Sequence, residues 1–295
     1  MVGLRFIRPA VWPTGRRQPP WLLQREKNAT GRQLARVSAI HYHETLWSDL
    51  FPGNCPTVEC LEPAVLGVET VLELTASQRQ RTVYRLDGGA GTDDKLRWLL
   101  QRGYQVVAKG FSGRRAFNLG QQVTRWDRFS QDAWLGSVAS PVDYGKPVQI
   151  IVKRWRHQDT WKHSFYVTTL KLPSKTAFLT YYNLRGGAEI EQFREDKAGL
   201  YLAARRKRSF PAQKALVRLT DLAHNLLADF RYRGLAGSPF ADWGLKRIVR
   251  DLLEMPGRLY FEGSELKRID LLATHPYAKE LLVCLERYAA TPFQE

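Results

Sequence analysis

With 295 residues, 44% apolar and 25% charged, the chain has an ordinary globular composition and room for one large core, with or without a small extension. No apolar run is long enough to span a bilayer, and the basic opening MVGLRFIRPAVWPTGRRQPPW lacks the continuous apolar stretch of a signal peptide. A net charge of +16 favours a polyanionic partner, because each neutralised phosphate releases condensed counterions.

In chain order, residues 1–24 read as an irregular Pro/Arg-rich segment. Two strands follow, near Leu34–Tyr42 and Thr45–Phe51, closed by Pro52-Gly53-Asn54. His41 and His43 alternate on the first of them, without a third metal ligand. Leu61, Val65, Val68, Val71 and Leu72 have helical spacing. The run TVYRLD, 82–87, is a short strand that ends at Asp87 and is followed by Gly88-Gly89. A helix is expected from Thr92 to Arg102, with Asp93 and Asp94 favoured in its first turn by the helix dipole. Gly103 stops it, and YQVVAK is the next strand, so a parallel pair in a mixed sheet is expected. Between about 111 and 180, PVQIIVKRW and WKHSFYVTTLKL are β-rich and fit an inserted β subdomain. Helices dominate from about 188 to 231, with His224 and Asn225 as a packed polar site. A tail of helix 242–254, strands near Arg258–Phe261 and Lys267–Leu272, and helix Pro276–Tyr288 completes the chain. Cys55, Cys60 and Cys284 show no metal spacing and fit a reducing cytoplasm.

Two features carry chemistry. Asp87 sits at the carboxyl end of a strand before glycines that let a backbone approach closely, a useful place for a hard oxygen ligand of Mg²⁺ or Mn²⁺. The bland alternative is an aspartate that only caps its turn. The second feature is YYNLRGGAEIEQFREDKAGL, 181–200, which sets Tyr182, Arg185, Glu189, Glu191 and Lys197 in order. Glu189 and Glu191 project about 200° apart on a helix, so only one can face a cleft. Glu189 lies four residues from Arg185, about 40° in projection, and is favoured if the helix already includes Arg185. Arg185 can grip a phosphate in a bidentate fashion, Lys197 offers a point charge, and Tyr182 can stack on a base or donate a hydrogen bond. Downstream, Arg205, Arg206, Lys207 and Arg208 crowd into a stretch, Lys197 to Thr220, that holds no acid at all. Such clustering suits a DNA backbone, although a plain solvated surface has the same composition.

In this order the residues resemble the DDE transposases of bacterial insertion sequences, in the branch with a tyrosine–arginine–glutamate–lysine signature. Tyr182, Arg185 and Glu189 match its Y-x-x-R-x-x-x-E spacing. Further matching stretches are DKAGL at 196–200, ARRKRSFPAQKALVRLTDLAHNLL at 204–227 and, upstream, GRQLARV, FPGN and RLDGGAGTDDKLRWLLQRGYQVVAKG; the likeness spans about 29–290. The resemblance implies an α/β, ribonuclease H-like fold: a mixed sheet flanked by helices, with a β-rich insertion before the last catalytic helix and a small C-terminal α+β extension. It implies that Asp87 is the second acid of the triad and that Glu189 or Glu191 is the third. Asp87 and Glu189 would hold two Mg²⁺ or Mn²⁺ ions that activate water to nick an element's ends. The freed 3′-OH would then attack target DNA. It also implies double-stranded DNA as partner and a homodimer on paired ends.

Two departures qualify that likeness. The signature separates Glu and Lys by six residues, whereas Glu189–Lys197 encloses seven and Glu191–Lys197 five. The family's first Asp belongs on a strand just before GRQLARV, and no Asp precedes Asp49. The expectation is a truncated transposase, with an irregular basic segment over 1–28, a catalytic domain over 29–231 and an extension over 232–295. Its first catalytic Asp would be missing, leaving either a crippled enzyme, a DNA-binding remnant that inhibits full-length copies, or a related metal-dependent nuclease.

Overall fold

The computed structural model describes residues 2–7, 31–184, 192–202, 204 and 207–290. These fall into two compact units: residues up to 189 apart from Tyr42–Glu44, and residues from 190 together with Tyr42–Glu44. The units divide at 189/190, whereas the sequence reading set its own domain limit at 231/232.

The first unit is organised by one nine-stranded sheet, whose order is β3-β2-β1-β4-β5-β9-β8-β7-β6. Its first strand, β1 (Val2–Ile7), was not expected, since the basic opening was read as irregular. The residues VGLRFI have strong β propensity, and sheet pairing on both sides overrides the poor pattern around them. β1 pairs antiparallel with β2 (Arg32–Ala39) and parallel with β4 (Val83–Leu86), which in turn pairs parallel with β5 (Gln105–Lys109). β3 (Glu44–Pro52) lies outside β2. The order 3-2-1-4-5 with β1, β4 and β5 parallel and β2 reversed is a ribonuclease H-like core.

The expected insertion is present, but it forms no separate subdomain. β6 (Asp127–Ser130), β7 (Ala133–Val138), β8 (Gln149–His157) and β9 (Thr160–Thr168) are an antiparallel meander. Its last strand pairs with β5 through Val107↔Thr168 and Lys109↔Tyr166, so the meander lengthens the central sheet. Joining it satisfies the backbone groups of β5 that an edge would leave bare.

Strand alternation assigns the two faces. On one, Ala35, Val37, Tyr84, Leu86, Val106 and Ala108 pack against α1 (Leu61–Leu72), α3 (Asp93–Gln101) and α4 (Gly113–Gln121). A short helix, α2 (Ala76–Arg81), precedes β4 and starts on a capping box at Thr75 and Gln78. On the other face, Val107, Ile151 and Tyr166 pack against Phe178, Leu179 and Tyr182 of α5 (Lys175–Asn183). The two histidines expected on a strand face instead occupy the turn between β2 and β3, where His43 has φ 57°.

The second unit packs α6 (Gln192–Gly199), α7 (Phe210–Phe230), α8 (Leu245–Ile248) and α9 (Ala278–Ala290) with π-helical turns at Arg231–Leu235 and Val249–Leu253. Ser209 caps α7 by accepting the Ala212 N–H at 3.3 Å. Leu227 and Phe230 share a core with Leu235, Phe240, Ile248, Leu252, Leu281 and Cys284, so α7 belongs with the tail in packing. The exposed hairpin β10 (Gly257–Glu262) and β11 (Glu265–Leu271) completes the described residues of this unit.

Candidate nucleic-acid site around Asp87

Asp87 follows directly on β4. Its carboxylate Oδ1 accepts the Gly89 N–H at 3.0 Å, and its carbonyl accepts the Ala90 N–H at 3.2 Å. The turn-capping role is therefore real, and it uses one lone pair of one carboxylate oxygen. The glycines around it have steric causes. A Cβ on Gly91 would fall 2.3 Å from the Lys109 carbonyl oxygen, and one on Gly110 would fall 2.0 Å from the Phe165 ring. The turn after β4 is thus pressed on the end of β5, and the end of β5 on the Phe165 ring of β9, with no space for side chains between them.

Two bonds tie α5 to this strand end. The Arg85 guanidinium donates to the Tyr181 carbonyl, and the Tyr182 hydroxyl donates to the Leu86 carbonyl, both at 3.5 Å. Tyr182 is therefore held at the end of β4, next to the residue that precedes Asp87. It is 5% exposed, and its ring packs edge-to-face on Tyr166 at 4.8 Å. A ring buried in that way cannot stack on a base; it fixes the helix that leads into 185–191.

Arg185, Glu189, Glu191, Arg205 and Arg206 lie outside the described residues. Lys197 is exposed on α6, and Lys207 and Arg208 are exposed just before α7. The Lys207 backbone N–H is held by the Gln213 side chain at 2.7 Å. In the same unit Asp196, absent from the sequence-based candidates, is fully buried, with Oδ1 2.7 Å from His224 Nδ1. His224 Nε2 lies 2.7 Å from the His43 carbonyl, which can only accept. Both ring nitrogens therefore face acceptors, and the His224–Asp196 pair forms a buried polar joint. Sequence did identify His224 as a packed polar residue. Asp93 is also structural: it accepts from Arg115 at 2.6 Å and from the Tyr144 hydroxyl at 2.5 Å. Burial and this bond to Asp93 push the Tyr144 hydroxyl up to about 12.

The place of the first acid can be read from the register. β1 pairs Gly3 with Arg85 on one side and Arg5 with Arg36 on the other. Two residues on from Gly3↔Arg85, Arg5 comes level with Asp87, and Val2–Ile7 contains neither Asp nor Glu. Arg36, in the same row, is a buried cation at 1% exposure. A pair of divalent ions needs several anionic oxygens converging on it. Among the described residues this level of the sheet offers the Asp87 carboxylate, with Arg5 and Arg36 at the neighbouring register positions. Among the described residues no three His, Cys, Asp or Glu side chains group as metal ligands.

The strand order, with an aspartate at the end of β4, defines a ribonuclease H-like α/β fold. The family model of the transposase DDE domain, group 1, matches residues 43–292, and the chain belongs to that family. Comparison with curated proteins gave no match. Among similar solved structures is a piggyBac transposase synaptic complex with hairpin DNA, solved by cryo-EM. The TM-score is 0.49 at 11% identity, over 77% of this chain and 46% of that one. This chain therefore spans less than half the length of that protein. No helix among the described residues is long and apolar enough to cross a membrane.

Proposed function

We propose that this transposase chain binds double-stranded DNA, at element ends and at target, and that its metal-dependent cutting and joining is crippled for want of an acid beside Asp87. The observation that carries the reading is β1: it fills the strand position next to β4 and brings Arg5, not a carboxylate, to the level of Asp87. DNA binding is supported by family membership and by the net charge of +16. In an intact member Mg²⁺ or Mn²⁺ would supply a metal-activated water. What remains to this chain is to hold DNA, which makes it a competitor of complete copies. Engaging two ends would bring two copies together, and three free cysteines fit work in a reducing cytoplasm.

The test is a mobility shift on duplex DNA carrying the source element's ends, paired with Mn²⁺-dependent nicking and strand transfer, with Asp87→Ala as control. The expected result is binding that weakens steeply with salt and no nicking above the Asp87→Ala level. Nicking that is abolished by Asp87→Ala would overturn the reading and mean that another residue replaces the missing acid.

A further inference from the structure

The sheet places one further cation, Lys109, beside Asp87, and a second, Lys153, on the same face two strands farther on. One residue past the pair Leu86↔Ala108, Lys109 stands next to Asp87 at the end of β5. Lys109 pairs with Tyr166 on β9, and Tyr166 with Ile151 on β8. Two residues along β8, Lys153 pairs with Ser164. Alternation puts Lys109, Tyr166, Ser164 and Lys153 on one face, that of α5. Between the two lysines the Ser164 hydroxyl donates to the Tyr166 hydroxyl at 3.4 Å, and both residues are buried.

These lysines differ from others in the unit. Lys95 pairs with Glu62 at 2.5 Å and Lys175 with Asp127 at 2.7 Å. Among the described residues neither Lys109 nor Lys153 has a carboxylate partner. Lys153 instead lies over the rings of Phe129 at 5.7 Å and Trp155 at 5.5 Å. Burial, and then the charge of Lys109, hold its ammonium below the ordinary lysine range. Two like charges on a half-covered face are an unfavourable arrangement until an anion joins them.

We propose that Lys109 and Lys153, with the Ser164 and Tyr166 hydroxyls between them, form a seat for one backbone phosphate of the DNA strand that passes Asp87. The inference rests on the DNA-binding reading above. It gives the β meander a task, since three of the four groups come from β8 and β9, the strands that extend the sheet past β5.

The test is the salt dependence of affinity for a short labelled duplex, measured by fluorescence anisotropy in EDTA so that no metal chemistry intervenes. Lys109→Met and Lys153→Met remove the charges and keep the unbranched stems, that of Lys153 beside Phe129 and Trp155. Because each phosphate contact contributes about 0.9 to the slope of log K against log salt, the shared phosphate should take about 0.9 from it in the double variant. Affinity at moderate salt should fall roughly tenfold, with melting temperature unchanged. Lys146→Met, at an exposed position in the same unit, should leave the slope at the parent value. A double variant with the parental slope, or a loss matched by Lys146→Met, overturns the proposal while leaving DNA binding intact. A parent that fails to bind any duplex overturns the DNA reading itself. Amine footprinting of the parent gives a readout independent of variant folding: Lys109 and Lys153 should lose reactivity when DNA is added. Unchanged labelling of both in a DNA complex would also sink the idea.

Discussion

Strands β1 and β4 run side by side and parallel, and the sheet treats them alike; the chemistry does not. β4 leads into Asp87 and a glycine turn, with Tyr182 and Arg85 fastening α5 above it. β1 carries mostly apolar residues that a sheet position asks for, with Arg5 level with Asp87. A strand position can be filled by anything with β propensity and backbone groups to pair. A catalytic position requires one residue type at one point, so fold can outlast chemistry.

The largest effect should come from equalising the two strands. Arg5→Asp would bring a carboxylate level with Asp87, and several kcal/mol of metal-mediated charge stabilisation corresponds to a rise in Mn²⁺-dependent nicking of about a hundredfold or more. The gain should vanish in Arg5→Asp/Asp87→Ala. A gain indifferent to Asp87, or no gain in a variant that binds DNA normally, would break the comparison.

Next in size is the glycine turn that follows β4. Gly91→Ala must displace the Lys109 carbonyl, which the new Cβ would approach at 2.3 Å. Overpacking against backbone costs about 1–3 kcal/mol, so the melting temperature should drop by several degrees. A neutral result would mean that the β4–β5 junction is looser than the sheet implies.

The smallest effect concerns the support beneath β4. Tyr84 packs edge-to-face on Tyr104 at 4.8 Å, and the Tyr104 hydroxyl donates to Glu69 at 2.7 Å; Glu69 also takes two bonds from Arg102. Burial raises the Glu69 carboxyl, but the bonds from Arg102 and Tyr104 outweigh it and hold the group below its usual value of 4.5. A carboxyl depressed in the folded state stabilises above its unfolded pKa, and that contribution fades as pH falls through the folded pKa. Glu69→Gln should therefore cost about 1 kcal/mol at neutral pH, and the gap from the parent should close in acid. Denaturant titrations at several pH values would show it; a gap that widens in acid would reverse the assigned sign.

Much of the fold was legible because periodicity reports burial. The strand TVYRLD, the helix after Thr92, YQVVAK and the two long strands of the meander all appeared near their expected positions. The meander's membership in the central sheet was not legible, because β-rich residues announce a strand but not its neighbour. Strand β1 was hidden for a related reason: six residues with β propensity between basic, proline-rich surroundings become a strand only when β2 and β4 offer pairing on both sides.

The site divides in the same way. The sequence by itself determined the family, the aspartate at a strand end, the tyrosine that accompanies it and the absence of any Asp before Asp49, because these depend on residue identity and spacing. Only the tertiary structure decided that Tyr182 is a buried fastener, that Asp196 and His224 form a closed polar joint, and that Arg5 stands level with Asp87. It alone brought Lys109 and Lys153 to one face. They are 44 residues apart in the sequence and meet only through the register of β5, β9 and β8, which is set by backbone pairing across the sheet.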